Sequence, residues 1–579
     1  MASVAIPVPR DSVPRLKQNW VISPVWDMLL IVAAPPIALL WGTWTSKHLG
    51  PEVVLVTFAI FTIAHHLPTF IRIYGDLDLL RRFRWSLLLG PVVPFSLSML
   101  LMASAIAGGQ KLENLLFLTI ILSLWDPWHF LMQHYGFMRI YDRPNTALRG
   151  VGARMDLSIS AIWYATILLA AVQWLPDLLY RFQCDHGIPV LPIFSAGVYP
   201  FLERFFLAGA VLMSGVYLGY VAWCYSRGHF ISWVKLLMLV TTFGVMYLAY
   251  VPNRVMANWQ PEWNFAVGYA TVNMVHVTQY LAIVWQYNRN LVRRPERGRA
   301  GAFSRFFARS GILVASFYVG VCLLYGFILS QPGQKAAGAL VGSLPGSDGP
   351  NHAMLWYMAI IISVGFTSNL LHYYYDGFIW KVRHREVREN LYLERDVTGQ
   401  AQQGPSWWDS RSPMASAFDT LLKHTVYFGL PIAFLALSFV LVSATTTRTP
   451  LQELRRAVEA RGPSSTDQRQ SELARAVAAA DRQLEIERRM LEIRPRAKHY
   501  AYLAQLTYWR SLAQKALASN KDPASVLEER RSAELQHAIA AQEKALEYPG
   551  PYSHREAKSL TREAMEQIIA KWRRESESG

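Results

Sequence analysis

Long apolar runs constrain this chain more than any other feature. An uncharged segment of roughly 20 residues crosses a bilayer as a helix, because only a helix satisfies its own backbone polar groups in hydrocarbon. Eleven such runs lie near residues 26–44, 53–74, 86–107, 113–138, 157–176, 205–225, 231–251, 263–287, 311–330, 353–378 and 425–445. The composition agrees: 52% of the 579 residues are hydrophobic and 13% aromatic, too apolar for a soluble protein of this length. The expected fold is an all-α, polytopic membrane bundle of about eleven spans. Pro35 and Pro36 are expected to kink the first.

The net charge of +16 invites a nucleic-acid reading, but its placement argues for a membrane. Arg72, Arg81, Arg82 and Arg84 follow the second run, and Arg139, Arg143, Arg149 and Arg154 follow the fourth. Arg289, Arg293, Arg294, Arg297 and Arg299 follow the eighth, and Lys381, Arg383, Arg385 and Arg388 the tenth. Every second loop is basic, so the positive-inside rule puts the N-terminus in the cytoplasm and the C-terminus outside, as in a bacterial inner membrane. The basic residues face lipid headgroups, and no nucleic-acid partner is expected. Arg72 and Arg139, beside aromatic residues in "FIRIYGD" and "FMRIYDR", read as interface anchors. Of three cysteines only Cys184 lies in an outside loop, which leaves no disulfide framework.

Residues 1–23 read as a polar cytoplasmic arm without a cleavable signal, and 24–446 as the membrane domain. Residues 289–310 and 381–424 are its larger cytoplasmic connections, and the Gly/Pro-rich stretch 331–352 is an outside loop. From residue 450 to 579 the composition turns to Ala, Glu, Arg, Gln and Leu with helical periodicity. About four amphipathic helices are expected there outside the membrane, with a faint likeness to tetratricopeptide repeats and a protein partner as their use.

The chemistry lies in the histidines. "TVNMVH" (271–276) and "TSNLLH" (367–372) repeat one polar spacing in two apolar runs. Four runs, all even-numbered, carry interior histidines: His65 and His66; His129 and His134; His276; and His372. At 1.5 Å per residue these lie about 8–20 Å from the first basic residue of each run, in the cytoplasmic half of the core. Each histidine stripe carries hydrogen-bonding groups: Thr62 and Thr69, Asp126 and Gln133, Asn273 and Tyr280, Asn369 and Asp376. Polar groups in hydrocarbon are costly unless satisfied, so the stripes are expected to face one another. His65, His66, His129, His134, His276, His372 and Asp376 are the candidate metal ligands. Asp126, Gln133, Asn273, Gln279 and Asn369 are their candidate hydrogen-bonding supports. Asp126, Tyr280 and Asp376 are the candidate catalytic groups. The other nine histidines, His499 among them, read as ordinary.

Imidazole with carboxylate and no thiolate favours iron, one ion or two, with copper or zinc as alternatives. "HFLMQH" (129–134) has the spacing of the first histidine box of membrane fatty acid desaturases and hydroxylases, but the H-x-x-H-H boxes of those families are absent. The scatter over four helices, with His372 and Asp376 as H-x-x-x-D, resembles the Brp/Blh-type carotene dioxygenases. Those resemblances cover short motifs only, and imply a non-haem iron oxidoreductase that hydroxylates, desaturates or cleaves a lipid or isoprenoid. Trp125, Trp128, Tyr135, Tyr373, Tyr374 and Tyr375 are compatible with a groove for such a substrate. Three rivals stay open: a membrane O-acyltransferase using His372 with Asn369; a haem–copper-like protein, from H-x-x-x-Y at His276 and Tyr280; and a metal transporter.

Overall fold

The computed structural model describes residues 18–107, 117–143, 149–171, 197–260, 263–293, 305–309, 311–330, 352–379, 449–459, 466–518, 524–548 and 561–578, with a few single positions between. The expected 331–352 loop, the 381–424 connection and the run at 425–445 lie essentially outside the described residues. The chain forms two compact units: Met1–Ala171 with Phe206–Ala436, and Val172–Phe205 with Leu437–Gly579. Every described element is helical.

The first unit holds α1 (Ala34–Leu49), α2 (Pro51–Ala64), α3 (His66–Gly75), α4 (Leu77–Arg82), α5 (Arg84–Ala107), α6 (Phe117–Tyr141) and α7 (Arg149–Ala170). Then come α8 (Val198–Ser226), which begins in the second unit, α9 (Trp233–Tyr250), α10 (Phe265–Arg293), α11 (Ile312–Leu329) and α12 (His352–Ile379). Six helical segments among the described residues are long and apolar enough to cross a membrane: Pro51–Gly75, Arg84–Ser104, Val198–Ser226, Trp233–Tyr250, Ile312–Leu329 and Met354–Gly377. A seventh is added if Pro24–Val32 and Ala34–Leu49, bent by 48°, count as one. That bend lies where Pro35 and Pro36 open α1. Six or seven apolar spans are thus present among the described residues, and the expected eleven are not confirmed. α6, α7 and α10 form at the expected places but are too polar to pass the same test, because they carry the inward-facing residues.

A proline and a glycine shape the region around the site. α2 and α3 are one span interrupted at His65, and the cause is Pro68: its ring crowds the carbonyl four residues back, that of Ala64. At Gly326 of α11 a Cβ would lie 2.2 Å from the Ile60 carbonyl oxygen and 2.8 Å from the Ala64 nitrogen, so only glycine permits this approach to α2. Gly326→Ala is expected to destabilise the unit by about 1–3 kcal/mol, read as a lower unfolding temperature in detergent.

Four helices run in the same direction. His65 pairs with His276, Thr69 with Tyr280, and Asp76 with Tyr287, each pair 211 positions apart. A constant offset at successive heights means that α2–α3 and α10 advance together. Asp126 with Tyr269, and Gln133 with the His276 carbonyl, keep an offset of 143 between α6 and α10. His66 with Ser368 and Thr69 with His372 keep offsets of 302 and 303 between α3 and α12. The co-orientation expected from the charge pattern is present in the bundle.

The presumed interface anchors are internal. Arg72 is fully buried, its guanidinium 4.0 Å from the centroid of the Tyr287 ring. Arg139 pairs with Asp142 and Asp156, and Lys235, also fully buried, lies 3.1 Å from each of those carboxylates. Burying these charges is tolerable because two cations meet two anions, with Tyr217 donating to Asp156 at 2.9 Å. Residues 18–23 of the expected arm are tied to the bundle as well: Asn19 donates to the Ile140 carbonyl, and Asp27 accepts from Val21 and Ile22.

Over 450–579 of the second unit, where about four helices were expected, the described residues form five: α13 (Pro450–Glu459), α14 (Thr466–Ile493), α15 (Ala497–Ala518), α16 (Ala524–Leu546) and α17 (Arg562–Ser578). α15 packs against α13, α14 and α16, with Leu454, Leu473, Leu484 and Leu506 in one core and Leu535, Ile539, Ile569 and Trp572 in another. A tetratricopeptide arrangement is not confirmed. Unlike the expected boundary at 450, this unit also takes in residues 172–205. Tyr180 there donates to Glu487, and Gln483 lies 3.4 Å from Cys184. His499 is fully buried, with Nδ1 2.7 Å from Glu487, and lies outside the converging histidines.

Candidate metal centre

The shared depth of the histidines becomes convergence. His65, His129, His276 and His372 are buried, and one ring nitrogen from each lies within 4.8 Å of the others. His65 Nε2 is 3.2 Å from His276 Nε2, and His129 Nε2 is 3.0 Å from His372 Nε2. Nitrogens bound to a common ion at about 2.1 Å lie about 3–4 Å apart, so both close pairs have ligand spacing. This group could hold a metal ion. Asp376 adds a carboxylate, with Oδ2 3.7 Å from His129 Nε2 and 4.0 Å from His372 Nε2.

The interruption at His65 and the repeated T-x-N-x-x-H pattern bear on how the rings arrive. His65 lies at the junction of α2 and α3. On α10 and α12 the repeat puts His276 and His372 at one height of two parallel helices, and the residues four later, Tyr280 and Asp376, meet: Tyr280 Oη donates to Asp376 Oδ1 at 2.7 Å.

A chain of hydrogen bonds then closes a loop. His372 Nδ1 lies 2.6 Å from Thr69 Oγ1, which lies 2.6 Å from Tyr280 Oη. If His372 Nε2 is a ligand, its Nδ1 carries the hydrogen and donates to Thr69. Tyr280 gives its one proton to Asp376, so Thr69 must donate to Tyr280. Valence therefore orients the whole chain, from His372 through Thr69 and Tyr280 to Asp376 as the terminal acceptor. The sequence reading put Thr69 on the His65 stripe but assigned it no role. Thr69→Val keeps the shape and removes the hydroxyl. It is expected to weaken metal binding about 10–100-fold, measured by competition with a chelator, with Thr69→Ser restoring it.

Not every candidate belongs to this centre. His66 and His134 are not among the converging four. The His66 ring stacks on His372 at 4.8 Å, and its Nδ1 faces Ser368 Oγ at 3.1 Å. His134 turns away to the Phe243 ring, its Nε2 without a partner. The reason is angular: at about 100° per residue, a ring one or five positions from a ligand faces elsewhere. Gln133 donates to the His276 carbonyl and to Gln279, which donates to the Ile31 carbonyl, so both tie helices together instead of holding a ring. Asn273 donates to the Tyr269 carbonyl within its own helix, and Asn369 Oδ1 has no partner. His372 makes no hydrogen bond to Asn369, the pair on which the acyltransferase reading stood. Asp126 lies one step out, accepting from Tyr269 on Oδ2 and from Tyr373 on Oδ1 at 3.2 Å. The proposed aromatic groove is dispersed: Trp128 is exposed, whereas Tyr374 and Tyr375 pack with Ile73, Leu79 and Leu87.

A buried ring of four imidazoles and a carboxylate among apolar helices is thus identified by its own geometry, for no family model, curated protein or solved structure matches the chain.

Proposed function

We propose that this protein is a membrane-embedded, metal-dependent oxidoreductase whose centre is held by His65, His129, His276 and His372 with Asp376 at its edge. The convergence of four imidazole nitrogens within 4.8 Å on parallel helices carries the reading. A donor set of imidazole plus carboxylate without thiolate favours iron over copper or zinc. Iron bound there would supply one-electron chemistry with dioxygen or peroxide. The chain's own part is to hold the ion in an apolar surround, exclude water, and keep the Asp376 carboxyl beside it. Tyr280 orients that carboxylate.

The substrate class follows from the surroundings. The site is walled by helices of which several are long and apolar enough to cross a membrane, so its reactant arrives from lipid: an acyl chain or an isoprenoid. Hydroxylation, desaturation or oxidative cleavage are the reactions of that class. The charge pattern supports a cytoplasmic N-terminus. The folding of residues 172–205 with 437–579 supports an outside location for the second unit, since the same pattern puts both segments there. That unit is the surface on which a protein partner would bind.

Elemental analysis and an absorption spectrum of protein purified in mild detergent test the proposal. Iron at about one ion per chain, without a haem Soret band, is the expected result. Zinc or copper instead would keep the centre and overturn iron. No metal after purification and after incubation with iron(II) would overturn the centre.

A further inference from the structure

A second group of ionisable side chains lies against the centre and takes no part in holding it. The Tyr373 ring is 5.0 Å from the His129 ring, centroid to centroid, and its hydroxyl donates to Asp126 Oδ1. Tyr269 donates to the other oxygen, Oδ2. Among the described residues, two phenols are the only side chains hydrogen-bonded to Asp126, and no cation pairs with it. Asp126 is thus a shared acceptor for the two phenols, one on each oxygen.

We propose that Tyr373, Asp126 and Tyr269 form a redox relay that carries an oxidising equivalent away from the metal centre. The inference rests on the metal reading above. In the first step, Tyr373 would give up one electron to an ion held by the four histidines and oxidised beforehand by peroxide or dioxygen. The Tyr373 O–H bond breaks, its proton passes to Asp126 Oδ1, and a neutral phenoxyl radical is left. In the second step, Tyr269 reduces that radical. Its electron goes to Tyr373, its proton goes to Asp126 Oδ2, and Asp126 returns the first proton to the Tyr373 oxygen. The radical has moved to Tyr269, Asp126 still holds one proton, and no charge has been created in the apolar interior.

The geometry gives the relay a direction. Tyr269 sits seven residues before His276 on α10, about 10 Å along the helix. The route therefore leads away from the Arg293 end of α10, where the Arg72–Tyr287 pair lies. Such a path protects the histidines when the centre is oxidised without substrate, by delivering the radical to a tyrosine remote from them.

The test uses the full chain in detergent, loaded with iron(II), mixed with hydrogen peroxide and frozen for electron paramagnetic resonance. A narrow organic radical signal is expected, which changes shape when the protein carries ring-deuterated tyrosine. Tyr373→Phe is expected to abolish it with iron content unchanged. Asp126→Asn keeps the shape but removes the base, and is expected to slow radical formation about 100-fold. Full iron with no tyrosine radical would overturn the relay and leave the metal centre standing. So would a radical that persists at the same rate in either variant. Failure to bind iron at all would overturn both.

Discussion

His372→Ala is expected to cost the centre its metal, and His65→Ala, His129→Ala and His276→Ala to do the same. His372 is fully buried, faces His129 Nε2 at 3.0 Å and anchors the chain through Thr69 to Tyr280. Its removal deletes a ligand and leaves Thr69 and Tyr280 to re-pair. Metal affinity should fall by more than about 100-fold, beyond the loss that follows removal of a supporting hydrogen bond. The discriminating controls are the two histidines that the structure separates from the others. His134→Ala is expected to leave metal content unchanged, since its ring packs on Phe243. His499→Ala, in the other unit, should likewise leave it unchanged. Elemental analysis of the purified variants checks all of these. Equal metal in His372→Ala and His134→Ala would sink the four-histidine centre, whereas loss in both would restore the six-histidine set.

Much of this site was legible because depth and helical direction are simple consequences of sequence. Basic loops set the direction, the rise per residue sets the height, and those two facts put His65, His129, His276 and His372 in one layer before any contact was known. Angle was the harder part. The same helical geometry says that His66, about 100° from His65, and His134, about 140° from His129, cannot share their neighbours' aim. Spacing in sequence made them look like partners. Thr69 went unassigned for a different reason: a threonine one turn after a histidine is ordinary in a membrane helix, and its role appears only when α10 and α12 bring Tyr280 and His372 to it.

Hydropathy alone is a partial guide to the central helices for the converse reason. Hydropathy marks helices that face lipid, and α10 faces other helices along most of its length, with Asn273, His276, Gln279, Gln286, Asn288 and Asn290 all buried. A central helix of this kind needs its polar groups satisfied, not absent. Lys235 makes the same point. It lies within an apolar run, was not counted as a charge of consequence, and is fully buried between Asp142 and Asp156. Only the folded arrangement of α6, α7 and α9 reveals that its charge is matched.

Glu487→Ala is expected to unfold or loosen the second unit, and to do so more than His499→Ala. Both side chains are fully buried, and the carboxylate is the hub of the cluster. It accepts from His499 Nδ1 at 2.7 Å, from Gln483 Nε2 at 2.8 Å and from the Tyr180 hydroxyl. Removing it takes an acceptor from three buried donors, one of them on the 172–205 segment, at a cost of about 3–5 kcal/mol. Removing His499 leaves Tyr180 and Gln483 still paired with Glu487 and takes one donor from Oε2, a cost of about 1–3 kcal/mol. Glu487→Gln keeps an acceptor for Tyr180 and should fall between the two. Limited proteolysis and thermal unfolding of the full chain in detergent read the order. If His499→Ala proves the more damaging, the carboxylate is not the hub, and the histidine's other contacts hold this unit together. If the order holds while iron content stays level in all three variants, the stability of the helical unit is separable from the chemistry of the centre.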